Sequence, residues 1–523
     1  MSVTCTVDGL NRVKKKDYSA TTPVTPAARY CYDGNKYDSS TDSCVTDPAR
    51  PADYAQGALT HAVAGSGSTI VSETLYTGID AQGRVTSSVQ KTPGLADMPF
   101  VYQYWGTGQL KAVQYPSGRW VSYDITGADR VKAVRNGQSG ANYYLQQATY
   151  KPDGSFSGAT LGLVAQWAET REYNSRLQPC KMQVQKGVQT PLLALQWKRS
   201  ASDPDGACEG TGTDNNGTLL AERLQYPSGG AQQTILRSYS YDDANRVSSY
   251  SEPGKSQVFS YDTFGNMWQN GAATGVPDLR PNGPSWYLLS DGTVKNRLGN
   301  TDYDAADYQR QLSLAYSGTN AVYDAEGRLA QVAFGAVVAT YDYDAEGRRV
   351  KRTDAGGAAT YYVYDSEGQL MAEYGGTATG SGTQYIATDH LGSTRMVQDE
   401  QGNCAVRMDY APYGAVVPRS GEDCYGTPWT SGMMFTSALR DGATELDQMG
   451  ERHNWASLGR FTSPDPHNDG AQLADPQSWN MYGYARNNPL IYVDPSGHDY
   501  HVCITGQGCQ DMTDEEWEEL HKK

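Results

Sequence analysis

The cysteines and histidines are the first residues in this chain that could carry chemistry. There are nine cysteines and seven histidines among the 523 residues. None of the cysteines shows the paired Cys-x-x-Cys or Cys/His spacing of a zinc site, and no serine or cysteine nucleophile motif accompanies His453. We therefore expect no metal, no cofactor and no catalytic role for His453.

Eight of the cysteines lie near enough in sequence to form disulfides, which leaves Cys5 over. The pairs are Cys31/Cys44, Cys180/Cys208, Cys404/Cys424 and Cys503/Cys509. Because spacing does not determine connectivity, a set of scattered, reduced cysteines is an equal alternative.

Composition predicts the elements that must position these residues. The chain has 38 Tyr against 7 Phe and 10 Trp, together with 56 Gly. Tyrosine favours strands because it buries a ring while its hydroxyl keeps a polar partner, and glycine supplies turns. The composition therefore predicts a β-rich chain with many short strands and many reversals.

Charge and hydropathy exclude two classes of function. The formal net charge is −16, and no basic run exceeds Lys14-Lys15-Lys16. A nucleic-acid partner needs a positive footprint, so we expect none, whereas a basic partner or cargo would suit this acidity. No apolar stretch approaches the ~18 residues that suggest a membrane span.

We expect no signal peptide at the start of this sequence, because no apolar segment follows Met1-Ser2-Val3. Residues 7–13 look like the middle of a repeat. We therefore expect the chain to begin inside a longer protein, and the missing leader has little weight for localisation.

A short motif recurs at intervals of about 20 residues, a period typical of repeat architectures. It has the form Tyr-Asp-x-x-Gly, often followed by Arg. Clear copies begin at Tyr323, Tyr343 and Tyr364, earlier copies begin at Tyr241 and Tyr261, and degenerate copies begin at Asp80, Tyr123 and Tyr150. Because residue type and period agree over several copies, the motif predicts a repeated structural unit.

Each copy can be interpreted as one β-hairpin. The aspartate can cap a turn, and the glycine three positions later takes the positive φ that closes the hairpin; we predict this at Gly327, Gly347 and Gly368. Neighbouring hairpins must then stack into one antiparallel sheet, since a single hairpin is marginally stable. Calcium binding is an alternative, although the turns lack clustered oxygens, and a glycan-binding aromatic surface is another.

The Tyr-Asp-x-x-Gly-Arg units resemble the YD repeats of bacterial Rhs proteins, Tc-toxin C components and teneurins. The resemblance implies an all-β fold: a continuous, spiralling antiparallel strip of β-hairpins that forms a hollow shell with a C-terminal core or plug. It covers residues 1–384 as repeats and is weakest at 155–235, where we expect an insertion or a long loop. Because 38% of the residues are hydrophobic, we expect the inner sheet face to line a wet cavity.

Residues 385–498 resemble the RHS-associated core of the same family. The resemblance rests on the sequences at 385–395, 408–414, 458–466 and 487–497. The last two contain Leu-Gly-Arg-Phe-Thr-Ser-Pro-Asp-Pro and Asn-Asn-Pro-Leu-Ile-Tyr-Val-Asp-Pro-Ser-Gly, which are highly specific in this order. Asp389-His390 resembles a standard part of such a core, which implies a packing or hydrogen-bonding pair.

The resemblance also implies that the core cuts its own chain with two aspartates. The family pattern maps onto Asp465 and Asp494 as the catalytic pair, and onto the bond between His498 and Asp499 as the cleavage site. Two carboxylates within hydrogen-bonding reach do not both ionise easily, so one holds a proton while the other activates water. The expected activity is at most that of an autoprotease acting in cis, and not that of a turnover enzyme.

The sequence departs from the family pattern around both aspartates. Asn468 stands where the family has glycine, His498 replaces leucine, and residues 468–476 read as an inserted loop with a competing Asp475-Pro476. Residues 447–455 also lack the usual aromatic strand. Because Asp-Pro is a common turn pair, the alternative is that both aspartates merely cap turns.

Residues 499–523 correspond to the start of the variable region that holds the effector in toxin-bearing relatives. We predict a hairpin or small disulfide loop at 502–510 and one short helix after the capping box at 513–516. We expect a shell fragment of a secreted polymorphic toxin that encloses a C-terminal effector, with secretion machinery or the cell surface as partners. The alternative is a cell-surface or secreted adhesion or structural assembly protein that binds partners or glycans without cutting.

Overall fold

The computed structural model describes most of the chain. The described residues are 3–19, 24–48, 54–67, 69–210, 214–288, 292–299, 301–312, 319–375, 382–419, 424–426, 429, 432–442, 444–465, 476–497, 501–504 and 508–510. Their regular structure consists of antiparallel β-strands and four short 3-10 turns, with no α-helix in these ranges. The predicted all-β, antiparallel fold is therefore confirmed.

The first twelve strands lie in residues 1–142. They are β1 (Val3–Val7), β2 (Val13–Tyr18), β3 (Ala28–Tyr32), β4 (Asn35–Asp38), β5 (Ser43–Thr46), β6 (Leu59–Ser66), β7 (Thr69–Ile79), β8 (Val85–Lys91), β9 (Met98–Tyr104), β10 (Leu110–Gln114), β11 (Trp120–Ile125) and β12 (Val131–Asn136).

The next ten strands lie in residues 143–309. They are β13 (Tyr143–Tyr150), β14 (Phe156–Leu161), β15 (Trp167–Tyr173), β16 (Pro179–Gln185), β17 (Leu193–Lys198), β18 (Ala221–Ser228), β19 (Ala231–Tyr241), β20 (Val247–Glu252), β21 (Lys255–Tyr261) and β22 (Met267–Gln269). A 3-10 turn follows at Pro284–Tyr287.

Sixteen strands follow. They are β23 (Thr319–Tyr323), β24 (Leu329–Phe334), β25 (Ala336–Tyr343), β26 (Arg349–Asp354), β27 (Ala359–Tyr364), β28 (Leu370–Gly375), β29 (Tyr385–Thr388), β30 (Thr394–Gln398), β31 (Cys404–Arg407), β32 (Leu439–Arg440), β33 (Leu446–Met449), β34 (Arg452–Trp455), β35 (Arg460–Phe461), β36 (Tyr492–Val493), β37 (His501–Ile504) and β38 (Gly508–Gln510). Further 3-10 turns lie at Phe435–Ser437, Pro476–Trp479 and Ala485–Asn487.

The chain divides into two compact units, each built from two separate stretches of sequence. Unit 1 contains residues 1–142 and 310–378, and unit 2 contains residues 143–309 and 379–523. In unit 1, ten strands pair with their neighbours in the order β1, β2, β3 and then β6 to β12, while β4 and β5 form a separate hairpin. Strands β23 to β28 form a second antiparallel sheet.

The turns of that second sheet dock onto side chains of the ten-strand sheet in unit 1. Three tyrosines, one on each of β2, β3 and β9, make hydrogen bonds to three successive turns. Tyr18 donates to Oε1 of Glu326 at 2.6 Å, Tyr30 donates to the Ala345 carbonyl, and the Tyr102 hydroxyl accepts the Ser366 N–H at 3.0 Å. The strand tyrosines therefore join the two sheets as well as packing within one of them.

In unit 2, strands β13 to β22 pair in chain order, each antiparallel to the next. Smaller sheets contain β29 to β31, β32 to β35 and β36 to β38. One face of the ladder is not bare: Trp167, Leu195 and Tyr250 from the strands pack in one cluster with Met396 and Tyr413. The expectation of a wet inner face is therefore wrong for this unit, because residues after 384 cover the ladder.

Residues 155–235 contain the long loop expected from the Ser/Gly/Asp-rich residues 200–206, but the rest of this range is not an insertion. Strands β14 to β18 continue the ladder through this region, and the irregular part is confined to the connection between β17 and β18. In β16 the side chains of Cys180, Met182 and Val184 are buried in alternation. The Tyr-Asp motif is missing there, but the period-two burial that makes a strand is present.

Three of the four cysteine pairs form disulfides. They are Cys31–Cys44, Cys180–Cys208 and Cys404–Cys424. Cys503 and Cys509 are paired positions of β37 and β38, which form the hairpin predicted at 502–510, but their side chains lie outside the described part of the structure. Cys5 is free and exposed, and the helix predicted after residue 513 lies outside the described residues.

The tyrosine–aspartate units form a side-chain arrangement that we call the repeat clamp. Asp324 Oδ1 accepts the N–H groups of Glu326 and Arg328 at 3.0 and 2.9 Å, and Asp324 Oδ2 accepts Arg328 Nε at 2.8 Å. The Arg328 guanidinium lies 4.7 Å from the ring centroid of Tyr343, the tyrosine of the next unit. The Tyr343 hydroxyl donates in turn to the Leu329 carbonyl at 2.6 Å.

The repeat clamp recurs throughout the chain. The other arginine–tyrosine pairs are Arg12 on Tyr32, Arg84 on Tyr104, Arg246 on Tyr261 and Arg348 on Tyr364, at 4.3, 4.5, 4.3 and 5.3 Å. In each case the tyrosine hydroxyl donates to the carbonyl of the residue after the arginine. The three turn glycines have φ of 80°, 90° and 84° at Gly327, Gly347 and Gly368, as predicted.

Candidate cleavage site in the core

The two predicted catalytic aspartates lie on different segments of unit 2. Asp465 follows β35 by four residues, and its backbone N–H donates to the Met481 carbonyl at 3.0 Å. Asp494 directly follows β36. Both residues are buried, with 7% and 4% of their surface exposed. The fold therefore buries both residues in unit 2, although they lie on separate segments of the sequence.

One arginine on β34 contacts both aspartates. Nη2 of Arg452 lies 2.9 Å from Oδ2 of Asp494 and 3.5 Å from Oδ2 of Asp465. Its Nη1 donates to the Met481 carbonyl at 3.0 Å, and its guanidinium lies 3.8 Å from the ring centroid of Phe461. Because both oxygens lie within contact range of one nitrogen atom, the two carboxylates are neighbours in space.

The charge arrangement of this site is asymmetric. The Arg452 guanidinium places one positive charge against both carboxyl groups. The shorter contact and the donated hydrogen bond belong to Asp494, whereas Asp465 has the longer contact. Asp465 is thus the carboxylate held more loosely by the arginine, and the one whose charge is less fully compensated by it.

Asp494 also caps the turn that follows it. Its Oδ1 accepts the Gly497 N–H at 2.7 Å and lies 3.4 Å from the Ser496 hydroxyl. The turn-capping alternative considered for this Asp-Pro pair therefore describes one of its oxygens, while the other faces Arg452. The cap fixes the course of the chain immediately before the expected cleavage site.

The turn between β33 and β34 also contacts the segment that follows Asp494. The Glu451 N–H donates to the Ser496 carbonyl at 3.0 Å. Residues His498 and Asp499 themselves lie outside the described residues. Backbone pairing resumes after them, with Val493 opposite His501 and Tyr492 opposite Val502. The expected scissile bond therefore belongs to the connection between two paired strands.

Asp389 and His390, the remaining candidates, make hydrogen bonds and packing contacts within unit 2. Asp389 Oδ1 accepts the N–H groups of Leu391 and Ser393, at 3.0 and 2.9 Å. His390 Nε2 lies 2.9 Å from the Leu490 carbonyl, and its ring centroid is 4.7 Å from that of Trp197. The predicted packing and hydrogen-bonding pair is therefore present in the fold. Over the described ranges, no group of three or more metal-ligating side chains is placed to hold an ion.

A buried ion-pair network in unit 2 was not predicted from the sequence. Arg237 contacts Glu222, Glu252 and Asp409, each at 2.8 Å. Arg395 joins Glu222 to Asp409 at 3.0 and 2.9 Å. Burial by itself raises the pKa of the Glu222 carboxyl, but the charges of Arg395 and Arg237 overcome this and lower it to about 2. The network ties β18, β19 and β20 to the core region after residue 384.

Sequence signals for these residues were weak. Arg452 lies in a segment noted only for its missing aromatic residues, and its role depends on two aspartates brought in from elsewhere. Glu222 stands at a buried position of an alternating strand, where a charge needs a buried partner. That mismatch was the one available hint of the network, and it could not identify the partners.

Two protein-family models match part of the chain. The RHS repeat family matches residues 323–360, and the teneurin YD-shell family matches residues 355–490. Residues 323–490 therefore match models of these two families, and this match confirms the resemblance drawn from the motifs. Of the helical segments in the described ranges, none is long and apolar enough to cross a bilayer.

Individual relatives are similar in sequence to part of this chain. The tRNA3(Ser)-specific nuclease WapA of Bacillus spizizenii is 26% identical over 275 residues, which cover 47% of this chain and 11% of that protein. Teneurin-1 of Gallus gallus is 26% identical over 287 residues, covering 48% of this chain and 10% of that protein. The chain therefore spans about a tenth of the length of these curated relatives.

Solved structures share the fold over nearly the whole chain. The Photorhabdus luminescens Tc holotoxin pore superposes with a TM-score of 0.64 at 14% identity, covering 98% of this chain and 27% of that one. A TcdB2–TccC3 structure superposes with a TM-score of 0.63 at 15% identity, covering 95% and 27%. At these identities, the likeness establishes a common fold.

Proposed function

We propose that this chain is the YD-repeat shell of a secreted polymorphic toxin, which encloses a C-terminal effector and detaches from it by cutting its own backbone after His498. The observation that supports this most directly is the convergence of Asp465 and Asp494 on Arg452. Asp494 lies four residues before His498, whose peptide bond to Asp499 is the proposed cleavage site. The toxin assignment rests on the likeness to WapA and to TccC3-containing structures.

The proposed reaction is hydrolysis by a pair of carboxyl groups. One carboxylate takes a proton from water as the water oxygen attacks the His498 carbonyl carbon. The bond between that carbon and the Asp499 nitrogen then breaks, and the other carboxyl, in its protonated form, gives its proton to the leaving amine. We assign Asp494, which also orients the chain, to one half of this pair, and Asp465 to the other half.

The scissile bond belongs to the same chain as the two aspartates. It is therefore positioned without the binding step that a separate substrate would need. The Ser496 carbonyl accepts a hydrogen bond from the Glu451 N–H, and the Gly497 N–H donates one to Asp494 Oδ1. A backbone fixed in this way needs no diffusional encounter, and such intramolecular arrangements reach very high effective concentrations. Cleavage in cis can therefore be efficient without a substrate-binding cleft.

The test is the intact mass of the denatured full-length protein. The wild type should separate into two pieces whose masses place the cut between His498 and Asp499. Asp494→Asn and Asp465→Asn should each stay whole, because an amide neither accepts the proton of water nor supplies one.

Asp399→Asn is the matched control, because Asp399 also caps a turn of unit 2, where its Oδ1 accepts the N–H groups of Gln401 and Asn403 at 2.9 Å. It should be cut like the wild type. A single intact mass for the wild type would eliminate self-cleavage, and cleavage of Asp494→Asn would remove that residue from the reaction.

A second candidate is a surface or adhesion protein with the same shell and no cleavage. The match of residues 355–490 to the teneurin YD-shell and the likeness to teneurin-1 favour it. Both candidates place the chain outside the cytosol, at the cell surface or secreted, and three disulfides support that location because they persist in oxidising compartments. Secretion machinery is the partner in the first case, and surface partners or glycans are the partners in the second.

A further inference from the structure

The β33–β34 turn approaches the chain before the proposed cleavage site more closely than any side chain would allow. A Cβ atom on Gly450 would lie 1.9 Å from the Ser496 carbonyl oxygen and 2.7 Å from its Cα. A Cβ atom on Gly497 would lie 2.3 Å from the Met449 carbonyl oxygen and 2.8 Å from the Arg452 nitrogen. Both sides of this contact are therefore bare backbone.

The same turn makes polar contacts that fix the register of the contact. The Glu451 N–H donates to the Ser496 carbonyl at 3.0 Å, and Arg452, the next residue, contacts both aspartates. Residues 449–452 thus hold the segment before the bond with their backbone and hold the carboxylates with a side chain. One hairpin therefore contacts both the segment before the proposed cleavage site and the two carboxyl groups.

We propose that Gly450 is a positioning residue of the self-cleavage reaction. Its missing side chain lets residues 496 and 497 settle against the β33–β34 turn, which carries the following peptide bond to the two aspartates. The inference rests on the proposed function and adds a sequence requirement to it. Cleavage requires glycine at positions 450 and 497, because a Cβ atom at either position would overlap the backbone of the other segment.

The prediction for Gly450→Ala follows from the distances. A methyl group cannot occupy a position 1.9 Å from the Ser496 oxygen, so the segment must move away from the turn. A displacement of about 1 Å in a reacting group can lower a rate by about 100-fold. We expect Gly450→Ala to convert from the full-length chain to fragments about 100-fold more slowly than the wild type after cell-free synthesis.

Two further variants separate sterics from backbone strain. Gly450 has φ of 51°, a conformation that asparagine tolerates better than alanine. Gly450→Asn should nevertheless be as slow as Gly450→Ala, because it also carries a Cβ atom. Gly254→Ala has a positive φ of 73° with open space around it, and Gly442→Ala has open space without positive φ. Both control variants should cut within about 2-fold of the wild type, since each leaves the contact intact and surface changes have small effects.

A second measurement detects the contact without relying on cleavage. In the Asp494→Asn background, the wild-type turn should protect the Glu451 amide from hydrogen exchange, and Gly450→Ala should remove that protection while Gly254→Ala keeps it. The slow variants should also keep the wild-type pH profile of cleavage, because their carboxyl groups are unchanged.

The outcomes are distinct. A cleaved wild type with slow Gly450→Ala and Gly450→Asn supports the inference. A cleaved wild type with variants cut at the wild-type rate overturns the inference and leaves the proposed function standing. Retained protection of the Glu451 amide in Gly450→Ala also overturns it. A wild type that is never cut ends the proposed function, and the positioning role is lost with it.

Discussion

The guanidinium of Arg328 lies 4.7 Å from the ring centroid of Tyr343, and these two residues belong to different repeats. The aspartate of the first repeat orients the arginine, and the tyrosine of the second repeat returns a hydrogen bond to the strand that the arginine opens. The Tyr-Asp-x-x-Gly-Arg pattern therefore encodes a contact between successive repeats as well as a turn within one repeat. Arginine at its last position joins one hairpin to the next.

Replacing Arg328 by asparagine should destabilise unit 1 by about 1–2 kcal/mol, the range of a largely desolvated cation–π contact. The turn itself should survive, since Asn266 keeps an equivalent contact with Asp262 at 2.8 Å. Urea unfolding would measure the loss. Gln369→Asn, at the equivalent position of another repeat, should change stability by less than about 0.5 kcal/mol, and an equal loss there would contradict the clamp.

Replacing Gly347 by valine should cost about 1 kcal/mol or more, because a β-branched residue is strained at a positive φ. The backbone at Gly347 has φ of 90°, and a Cβ atom there would meet its nearest neighbour at 3.7 Å, so space is not the limit. Thermal melting would report the change. Gly356→Val, in open space without positive φ, is the comparison, and equal melting temperatures for the two variants would count against the turn.

The buried ion network predicts a large effect for a single substitution. Arg237→Met removes the charge that contacts Glu222, Glu252 and Asp409, and leaving buried charges without their partner costs about 3–5 kcal/mol. Lys181→Met is the control, because Lys181 pairs with the half-exposed Glu172, and such surface pairs contribute about 0–1 kcal/mol. Denaturant midpoints for the two variants should differ clearly, and similar values would show that the network adds little.

Acid should destabilise unit 2 through His390. Burial lowers the pKa of the His390 imidazole below its ordinary value, although Asp389 opposes the shift, so the folded state keeps this ring neutral. The unfolded chain takes up the proton near pH 6.5, so stability falls as the pH drops below about 6.5 and continues to fall until the folded ring is protonated, by at most about 1.4 kcal/mol per pH unit. His390→Gln should flatten the slope of melting temperature between pH 5 and 6.5. An unchanged slope would assign the acid sensitivity to other groups.

Local features of the repeat could be predicted from the sequence, because they depend on residues close together in the chain. The turn glycines were predicted in this way, and the three disulfides with described side chains were among the candidate pairs, for which reduced cysteines were an equal alternative. Partners distant in sequence could not be predicted. Tyr30 meets Ala345, and Arg452 meets Asp494, because of sheet stacking and core folding, which spacing does not encode.

The strands of residues 155–235 illustrate the other limit. Their burial alternates as in any half-buried strand, but polar and glycine-rich sequence in the connection between β17 and β18 dominated the interpretation of the whole region. A motif search finds the copies that keep the motif. Strands that keep only the alternation need the pairing partner, which becomes known from the fold.

The repeat clamp has a consequence for how such a chain can change in length during evolution. Because each arginine contacts the tyrosine that precedes the next turn, duplication or loss of one whole unit presents every remaining arginine with an equivalent tyrosine. Gain or loss of part of a unit leaves an arginine facing a residue of the wrong type or on the wrong face. The clamp therefore favours changes in length by whole units over changes by part of a unit.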